Sequence, residues 1–455
     1  MDTKQLRQKI LDLAIRGKLV PQDPNDEPAS VLLERVKAEK ERLIAEGKIK
    51  RSKKSAASSD KPHYANWDLP RGWEWVKLSD LASFGGGKTP SMSDKSYWEN
   101  GKHLWVTSKD MKSHRIRDSR MKISDEALSI MTQYKPGTIL IVTRSGILRH
   151  SLPIAILERD ATINQDLKAI SFYIQDLHPY IYYAIKAQES FILKEYHKDG
   201  TTVDSINFEK FSEILLPIPP KQEQIRIITT IEKLFGLIEE IDNKKKDLQE
   251  LTRHTKSIIL DMAISGKLVV QDPADKPAAD LLQRVNPNAV VSADTSHYQH
   301  MPQGWCVCKL EDIVEYEQPQ RYIVESTDYS DAYKMPVLTA GKSFVIGHTN
   351  ETAGVFNNVP VIIFDDFTTD SKYVDFPFKV KSSAMKILHV KHGVNIKYIY
   401  YFMSITRLVG KTHKRYWISE YSKLDIPLPP YNEQCRIVDA IERINNRIDD
   451  IAEAL

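Results

Sequence analysis

Cysteine is nearly absent: Cys306, Cys308 and Cys435 are the only three in 455 residues. The first two form an isolated C-x-C and the third stands alone, so no second pair lies at the spacing of a structural zinc site. Three thiols make no disulfide framework, which points to the cytoplasm. Long apolar runs are missing too. Nothing approaches the roughly 20 residues that span a bilayer, and the longest stretches, Ile139–Val142 and residues 359–364, read as buried strands. Residues 1–18 are charged throughout, so no signal peptide is expected there. Charge of one sign is also lacking: 64 Lys and Arg oppose 61 Asp and Glu, a net of +3. Any basic surface must therefore be local. Hydrophobic residues, at 41%, suffice for ordinary cores, and the length suits about two to four domains.

Complete catalytic motifs are lacking as well. GGGKT at 85–89 invites a phosphate-loop reading, but position 82 is Ala and Pro90-Ser91 follow where a helix should begin. Pro429-Pro-Tyr431 follows Leu428, so the polar residue of an amino-methyltransferase motif is missing, and no G-x-G-x-x-G for a methyl donor accompanies it. Asp365, Asp366 and Asp370 invite a magnesium cluster, yet they follow an apolar run, where a strand end with a turn is the commoner meaning. No Ser/His/Asp arrangement is legible, and no histidines pair at metal spacing. The expected catalytic and metal residues are none.

What the chain does have is repetition. Residues 15–36, IRGKLVPQDPNDEPASVLLERV, match 264–285, ISGKLVVQDPADKPAADLLQRV, at 15 of 22 positions. Pro70-Arg-Gly-Trp73 with Lys77-Leu78 and Asp80 matches Pro302-Gln-Gly-Trp305 with Lys309-Leu310 and Asp312. Pro217-Ile-Pro-Pro220 with Glu223-Gln224 and Arg226-Ile227 matches Pro427-Leu-Pro-Pro430 with Glu433-Gln434 and Arg436-Ile437. Each half thus reads helix, variable domain, Pro-rich boundary, helix. The variable stretches, about 70–215 and 302–425, show no visible likeness to each other. The chain's two ends supply the two parts of what its centre holds in one piece, so a near-two-fold, ring-like arrangement with adjacent termini is expected.

Residues 222–264 predict one long helix with a heptad seam through Ile231, Leu234, Ile238, Ile241, Leu248, Ile259 and Met262, interrupted by Lys245, Thr252 and Thr255. Gly266 is its expected C-cap. Residues 433–455 begin the same pattern with Ile437, Ile441, Ile444 and Ile448. Residues 48–61 and 286–297 have linker composition. The fold class is mixed α/β: two globular domains separated by long, pseudo-two-fold related helices that form an antiparallel coiled coil.

Cationic residues cluster in each variable domain. Between 102 and 122, seven Lys or Arg face two Asp; between 372 and 415, ten face one. A single charge run is ordinarily a solvated face. One run per repeated half points to phosphate neutralisation, with Tyr373, Tyr416 and Trp417 interspersed. The candidate DNA-binding residues are Lys109, Lys112, Arg115, Arg117, Arg120, Lys372, Lys379, Lys381, Lys411, Lys414 and Arg415.

With these residues the chain resembles the specificity subunit of type I restriction–modification enzymes. The carriers are GKLV-x-QDP twice, PIPP-x-x-EQ-x-RI and PLPP-x-x-EQ-x-RI, and P-x-GW with K-L opening each variable domain. Residues 85–111 look like one type of target-recognition domain, with Lys88 a departure from the usual GGTPS; 336–349 and 361–388 look like another. The resemblance implies that each domain reads one half of a split, asymmetric double-stranded DNA target. It implies that the helices set the spacing and dock two methyltransferase (modification) subunits, with restriction/translocase subunits joining. S-adenosylmethionine, ATP and magnesium would sit on those partners, with no cofactor in this chain, and no membrane is involved. The expected boundaries are 1–62, 63–216, 217–296, 297–426 and 427–455: a helical region with linker, recognition domain 1, the central spacer, recognition domain 2 and a final helix. Two alternatives stand: the specificity subunit of a system that cuts on both sides of its site, or a coiled-coil adaptor with no DNA-reading role. A free-standing nuclease or methyltransferase would need a catalytic domain for which the repeats leave no space.

Overall fold

The computed structural model describes residues 2–49, 67–200, 203–292, 301–341, 343–408 and 414–453. The chain divides into two compact units, Met1–Asn243 and Lys244–Leu455, and both are built on one plan.

In the first unit the helix Thr3–Ile15, N-capped by the Asp2 side chain, packs antiparallel to the first half of the helix Lys221–Ile264. Arg7 pairs with Asp242 at 3.1 Å, while Gln22 and Asp26, later in the chain, reach Glu223 and Arg226. Ile10, Leu11 and Ala14 share a core with Ile227, Ile231 and Ile238. In the second unit the latter half of that helix pairs antiparallel with Tyr431–Glu453. Lys256 meets Asp449 at 2.6 Å, Arg436 meets Asp275 at 2.7 Å, and Ile259 and Ala263 join Ile437, Val438 and Ile441.

The expected seam is only partly followed. Ile231, Ile238 and Ile259 are buried, but Ile241 and Met262 are exposed. Ile227 and Ala263 take core positions instead. No residue between Ile238 and Ile259 is buried, and this stretch meets the outer helices through ion pairs, Asp242 with Arg7 and Lys256 with Asp449.

Gly17 and Gly266 end their helices at φ +64° and +68°. Backbone N–H groups from Lys18 and Lys267 return to Leu13 and Met262, each at 2.8 Å, and satisfy carbonyls the helix leaves open. A Cβ on either glycine would lie 2.3 or 2.2 Å from Cγ of Pro70 or Pro302. The repeated P-x-GW therefore folds over the repeated glycine. The helix boundary closes equally tightly in both units: Gln224 Nε2 donates to Pro219 O at 2.9 Å and Gln434 Nε2 to Pro429 O at 2.8 Å.

Of the expected linker 286–297, residues 293–297 lie outside the described residues, and 286–292 are tied to their domain. Ala289 is buried, Asn286 Nδ2 bonds Asp312, and Ser292 N–H donates to Val307 O at 2.8 Å. The stretch 286–292 is anchored at its two ends and at Ala289, while Val290 and Val291 between them are exposed. Of 48–61, all but Lys48 and Ile49 lie outside the described residues.

The two variable stretches share no visible sequence, yet they have the same topology. Each opens and closes on an antiparallel pair: Glu74–Lys77 with Leu215–Ile218, and Cys306–Lys309 with Asp425–Leu428. The first domain's larger sheet runs Ala82–Gly86, Leu167–Phe172, Ile139–Val142, Ile154–Leu157, with Arg115–Ile116 at its edge. The second runs Val314–Glu317, Met385–Val390, Val361–Asp365, Ser371–Val374. The first four strands are antiparallel neighbours in both. A three-stranded sheet follows in each, with one antiparallel and one parallel neighbour: Met121–Ile123, His103–Val106, Ala161–Ile163, and Val345–Thr349, Met335–Leu338, Lys379–Val380.

The apolar strands Ile139–Val142 and Val361–Asp365 are central because both of their faces are covered. Side chains alternate across a strand. Ile139 and Ile141 pack toward the helix His178–Ala187, while Leu140 and Val142 pack against Leu104, Val106 and Ile163. Ile362 and Phe364 join the core with the helix Ile396–Ile405, and Val361 and Ile363 join Leu338 and Val380. Tyr180 and Tyr398, one on each of these helices, donate to Pro217 O and Pro427 O at 2.8 and 2.7 Å.

Candidate nucleic-acid interface

In the first domain several loops meet at one end of the sheets. Thr143 N–H donates to Asp166 O at 2.8 Å, Asn164 N–H to Val106 O at 3.1 Å and Lys88 N–H to Ile163 O at 3.1 Å. Thr89 Oγ1 bonds Gln165 Oε1 at 2.7 Å. A Cβ on Gly87 would stand 1.9 Å from Ile163 O, so the glycine run exists to let this loop lie against its neighbour. No helix follows it directly; the next element is the short turn Lys95–Tyr97. Arg144, Ser145, Gly146, Gln165, Asp166 and Val203 line an open cavity of about 400 Å³. Arg144 and Gln165 are exposed, and both carry the donors and acceptors that read base edges.

The predicted run splits in two. Lys109, Lys112 and Arg120 are exposed and have no ion pair among the described residues. Asp110, counted against them by charge, organises them: its carboxylate accepts from Thr107 N–H at 2.8 Å and from Arg120 N–H at 2.9 Å. Arg115 and Arg117 behave differently. Both bind Glu158, and Arg115 also reaches Glu232 at 3.4 Å. The Glu158 carboxyl is held below its usual range, first by its hydrogen bond to Arg117. These two guanidiniums are already neutralised by the domain itself.

The second domain gives a similar division. Lys381 and Arg415 are exposed without an ion pair among the described residues, and Lys372 is half-buried on its strand. Lys414 is exposed but pairs with Glu420. Lys411 lies outside the described residues. Lys379 departs from the expectation of a surface charge: its side chain is 3% exposed, 2.7 Å from Glu351, and donates to Ala353 O at 2.6 Å. Tyr416 and Trp417 also turn inward, 4% and 1% exposed, because their N–H groups bond Asp366 and their rings fill the core.

The aspartates 365, 366 and 370 are similarly committed. Asp365 Oδ1 caps the N–H groups of Phe367 and Thr368, Asp366 pairs with buried Lys386 at 3.4 Å, and Asp370 pairs with Arg407 at 2.9 Å. Among the described residues only His197, Asp199 and Asp204 gather as a possible metal group, and Arg149 Nε already holds Asp204 at 2.6 Å. Cys306 is buried in its strand, and burial lifts its thiol to about 11.

Window counts of charge single out Lys109, Lys112 and Arg120 and pass over Arg144, Gln165 and Lys88, which are equally exposed. A window cannot see a lone cation. The available signal was position: each stands beside the end of an apolar strand, where a domain's loops collect.

Fold and site together define a tandem binding protein, in which one repeated helical frame carries two like α/β domains, each with exposed cations that have no ion pair among the described residues. The chain belongs to the type I restriction modification DNA specificity domain family, whose model matches residues 70–253 and 302–455. It is 50% identical over 126 residues to the type I restriction enzyme EcoR124I/EcoR124II specificity subunit of Escherichia coli, covering 26% of this chain and 31% of that one. It is 28% identical over 383 residues to the EcoEI specificity subunit of Escherichia coli, covering 68% and 62%, and 27% identical over 385 residues to the EcoAI subunit, covering 69% and 62%. The matches thus span less than two thirds of these relatives' lengths. A chain from a solved structure on complex assembly and conformational transition of the type I R-M system shares the fold, with TM-score 0.59 at 15% identity over 85% of this chain and 94% of that one.

Proposed function

We propose that this chain gives a type I restriction–modification complex its DNA specificity. Each domain reads one half of a split, asymmetric target in double-stranded DNA. The helical frame docks two modification methyltransferase subunits, with restriction/translocase subunits joining them. The chain itself is non-catalytic, and S-adenosylmethionine, ATP and magnesium belong to its partners. The complex acts in the cytoplasm; among the described residues no helix is long and apolar enough to cross a membrane.

One observation carries this reading: a single topology occurs twice on a repeated frame, with different side chains at equivalent loops. Identical readers would serve a palindrome, and unlike readers serve an asymmetric site. Docking on the helices is supported by Leu251, Ile258 and Met262, which are 60%, 44% and 38% exposed on the central helix. Apolar residues grouped on one helix mark a surface that a partner covers.

The test is a domain exchange. Residues 70–215 are replaced by another recognition domain, and methylated sites are sequenced in cells carrying the whole complex. One half-site should change and the other should stay. A change in both halves, or in neither, overturns independent reading.

A further inference from the structure

The strand Ile139–Val142 and the strand Val361–Asp365 occupy the same place in their sheets, so the loops that leave them are equivalent. Each of these loops exposes one large apolar side chain. Ile147 is 47% exposed and Phe367 is 41% exposed. The two are held in the same way. Ile147 N–H donates to Ser145 Oγ at 3.4 Å, and Phe367 N–H donates to Asp365 Oδ1 at 2.9 Å, each from a polar residue two positions earlier.

Both loops are anchored from below. Leu148 is 1% exposed beneath Ile147, and Ser145 N–H donates to Asp204 O at 3.0 Å. Asp366 N–H donates to Ala384 O, Tyr416 N–H returns to Asp366 O, and Leu408 N–H reaches Thr369 Oγ1 at 3.2 Å. Exposed cations and amides lie close by: Arg144 adjoins Ser145 in the chain and lines one cavity with Ser145, Gly146 and Gln165, and exposed Arg415 adjoins Tyr416, whose N–H bonds Asp366 O. An apolar side chain held exposed at the tip of an anchored loop has no core to serve. It suits a duplex, where phosphates take the cations and the thymine methyl or the base stack takes the apolar group.

We infer that Ile147 and Phe367 are specificity-determining residues that touch the bases, one in each half of the DNA target. This rests on the proposed function and names the residues that would deliver it. Within each domain the surrounding cations set position and affinity, and the apolar residue sets discrimination at one or two base pairs.

The test selects bound sequences from random duplex DNA, using the full chain assembled with its methyltransferase subunits. Ile147→Ser and Phe367→Ser are compared with the unaltered chain, and Phe367→Leu serves as the conservative variant. Phe367→Ser should relax preference at one or two adjacent positions of one half-site, by about 5–150-fold for about 1–3 kcal/mol per base pair. Ile147→Ser should do the same in the other half, and Phe367→Leu should retain part of the preference. Thermal melting of each complex confirms folding. If the unaltered complex selects a split site and both serine variants select the same site equally sharply, the inference fails while the proposed function stands. If a folded serine variant loses preference evenly over both halves, the inference also fails. If the unaltered complex selects no sequence, the proposed function fails and takes the inference with it.

Discussion

The indole Nε1 of Trp73 donates to Glu223 Oε2 at 2.9 Å, and Trp305 Nε1 donates to Glu433 Oε2 at 3.0 Å. Gln22 and Gln271 bring a second donor to the same carboxylates at 3.3 and 3.1 Å. The three repeated motifs therefore meet at one buried carboxylate per unit: Gln of QDP, Trp of GW and Glu of EQ.

Trp73→Phe removes one donor from a buried acceptor and should lower stability by about 1–3 kcal/mol. Denaturant unfolding of the full chain measures it. A loss under a few tenths would mean that the Gln22 bond alone suffices.

Burial raises the Glu223 carboxyl above its ordinary range, against the lowering effect of the Trp73 and Gln22 hydrogen bonds. A raised acid holds its proton more tightly in the folded state, so its stabilising contribution is complete in acid and is lost as pH rises through the raised value. Glu223→Gln cannot ionise and should show a shallower fall of stability from acid to neutral pH than the unaltered chain. Parallel profiles for the two proteins would contradict this.

Gly17→Ala and Gly266→Ala each add a Cβ at positive φ and at about 2 Å from a proline ring. Left-handed strain alone costs about 1–2 kcal/mol, and the contact adds to it. Both variants should melt several degrees lower, by similar amounts, as read by circular dichroism. If only one of them melts lower, the two frames are not energetically equivalent.

Removing Lys109, Lys112 and Arg120 together should lower the log–log salt slope of DNA binding by about three units. Arg117→Ala should leave the slope nearly unchanged, because Glu158 already holds that guanidinium. Equal effects would assign Arg117 to the duplex after all.

Lys386 is 1% exposed against Asp366 at 3.4 Å, and Gln318 Oε1 accepts from it at 2.8 Å. Lys386→Met strands a buried carboxylate and should cost about 3–5 kcal/mol, whereas Lys381→Met at the surface should cost almost nothing. Unfolding curves for the two variants separate a structural lysine from a surface lysine.

Repeats and periodicity made the frame legible: the central helix, its glycine cap Gly266 and the antiparallel pairing all follow from residues that recur. The likeness of the two domains was hidden because a sheet's topology tolerates any apolar filling. Ile139–Val142 and Val361–Asp365 keep only alternation and burial in common. The interface was half legible for a related reason. Charge is visible in a sequence but pairing is not, so Arg115, Arg117 and Lys379 counted the same as Lys109 and Lys381.

Four residues inserted near Lys244 should lengthen the central helix by about 6 Å. No buried side chain lies between Ile238 and Ile259, so the insertion disrupts no core. If the helix sets the spacing of the half-sites, the gap in the methylated target should grow by one or two base pairs at about 3.4 Å each. An active variant with the original gap would place the ruler in the methyltransferase partners instead.

Glu74 lies opposite Ile218, and Cys306 lies opposite Leu428, in the strand pairs that open and close the two domains. The chain thus enters and leaves each domain at neighbouring points, through backbone bonds that do not depend on what lies between. Genetic recombination between the repeated segments would deliver a complete folded unit into either position, with its seams already matched. A lineage carrying such a chain can replace one whole exposed loop surface in a single exchange, without waiting for point mutations to rebuild it.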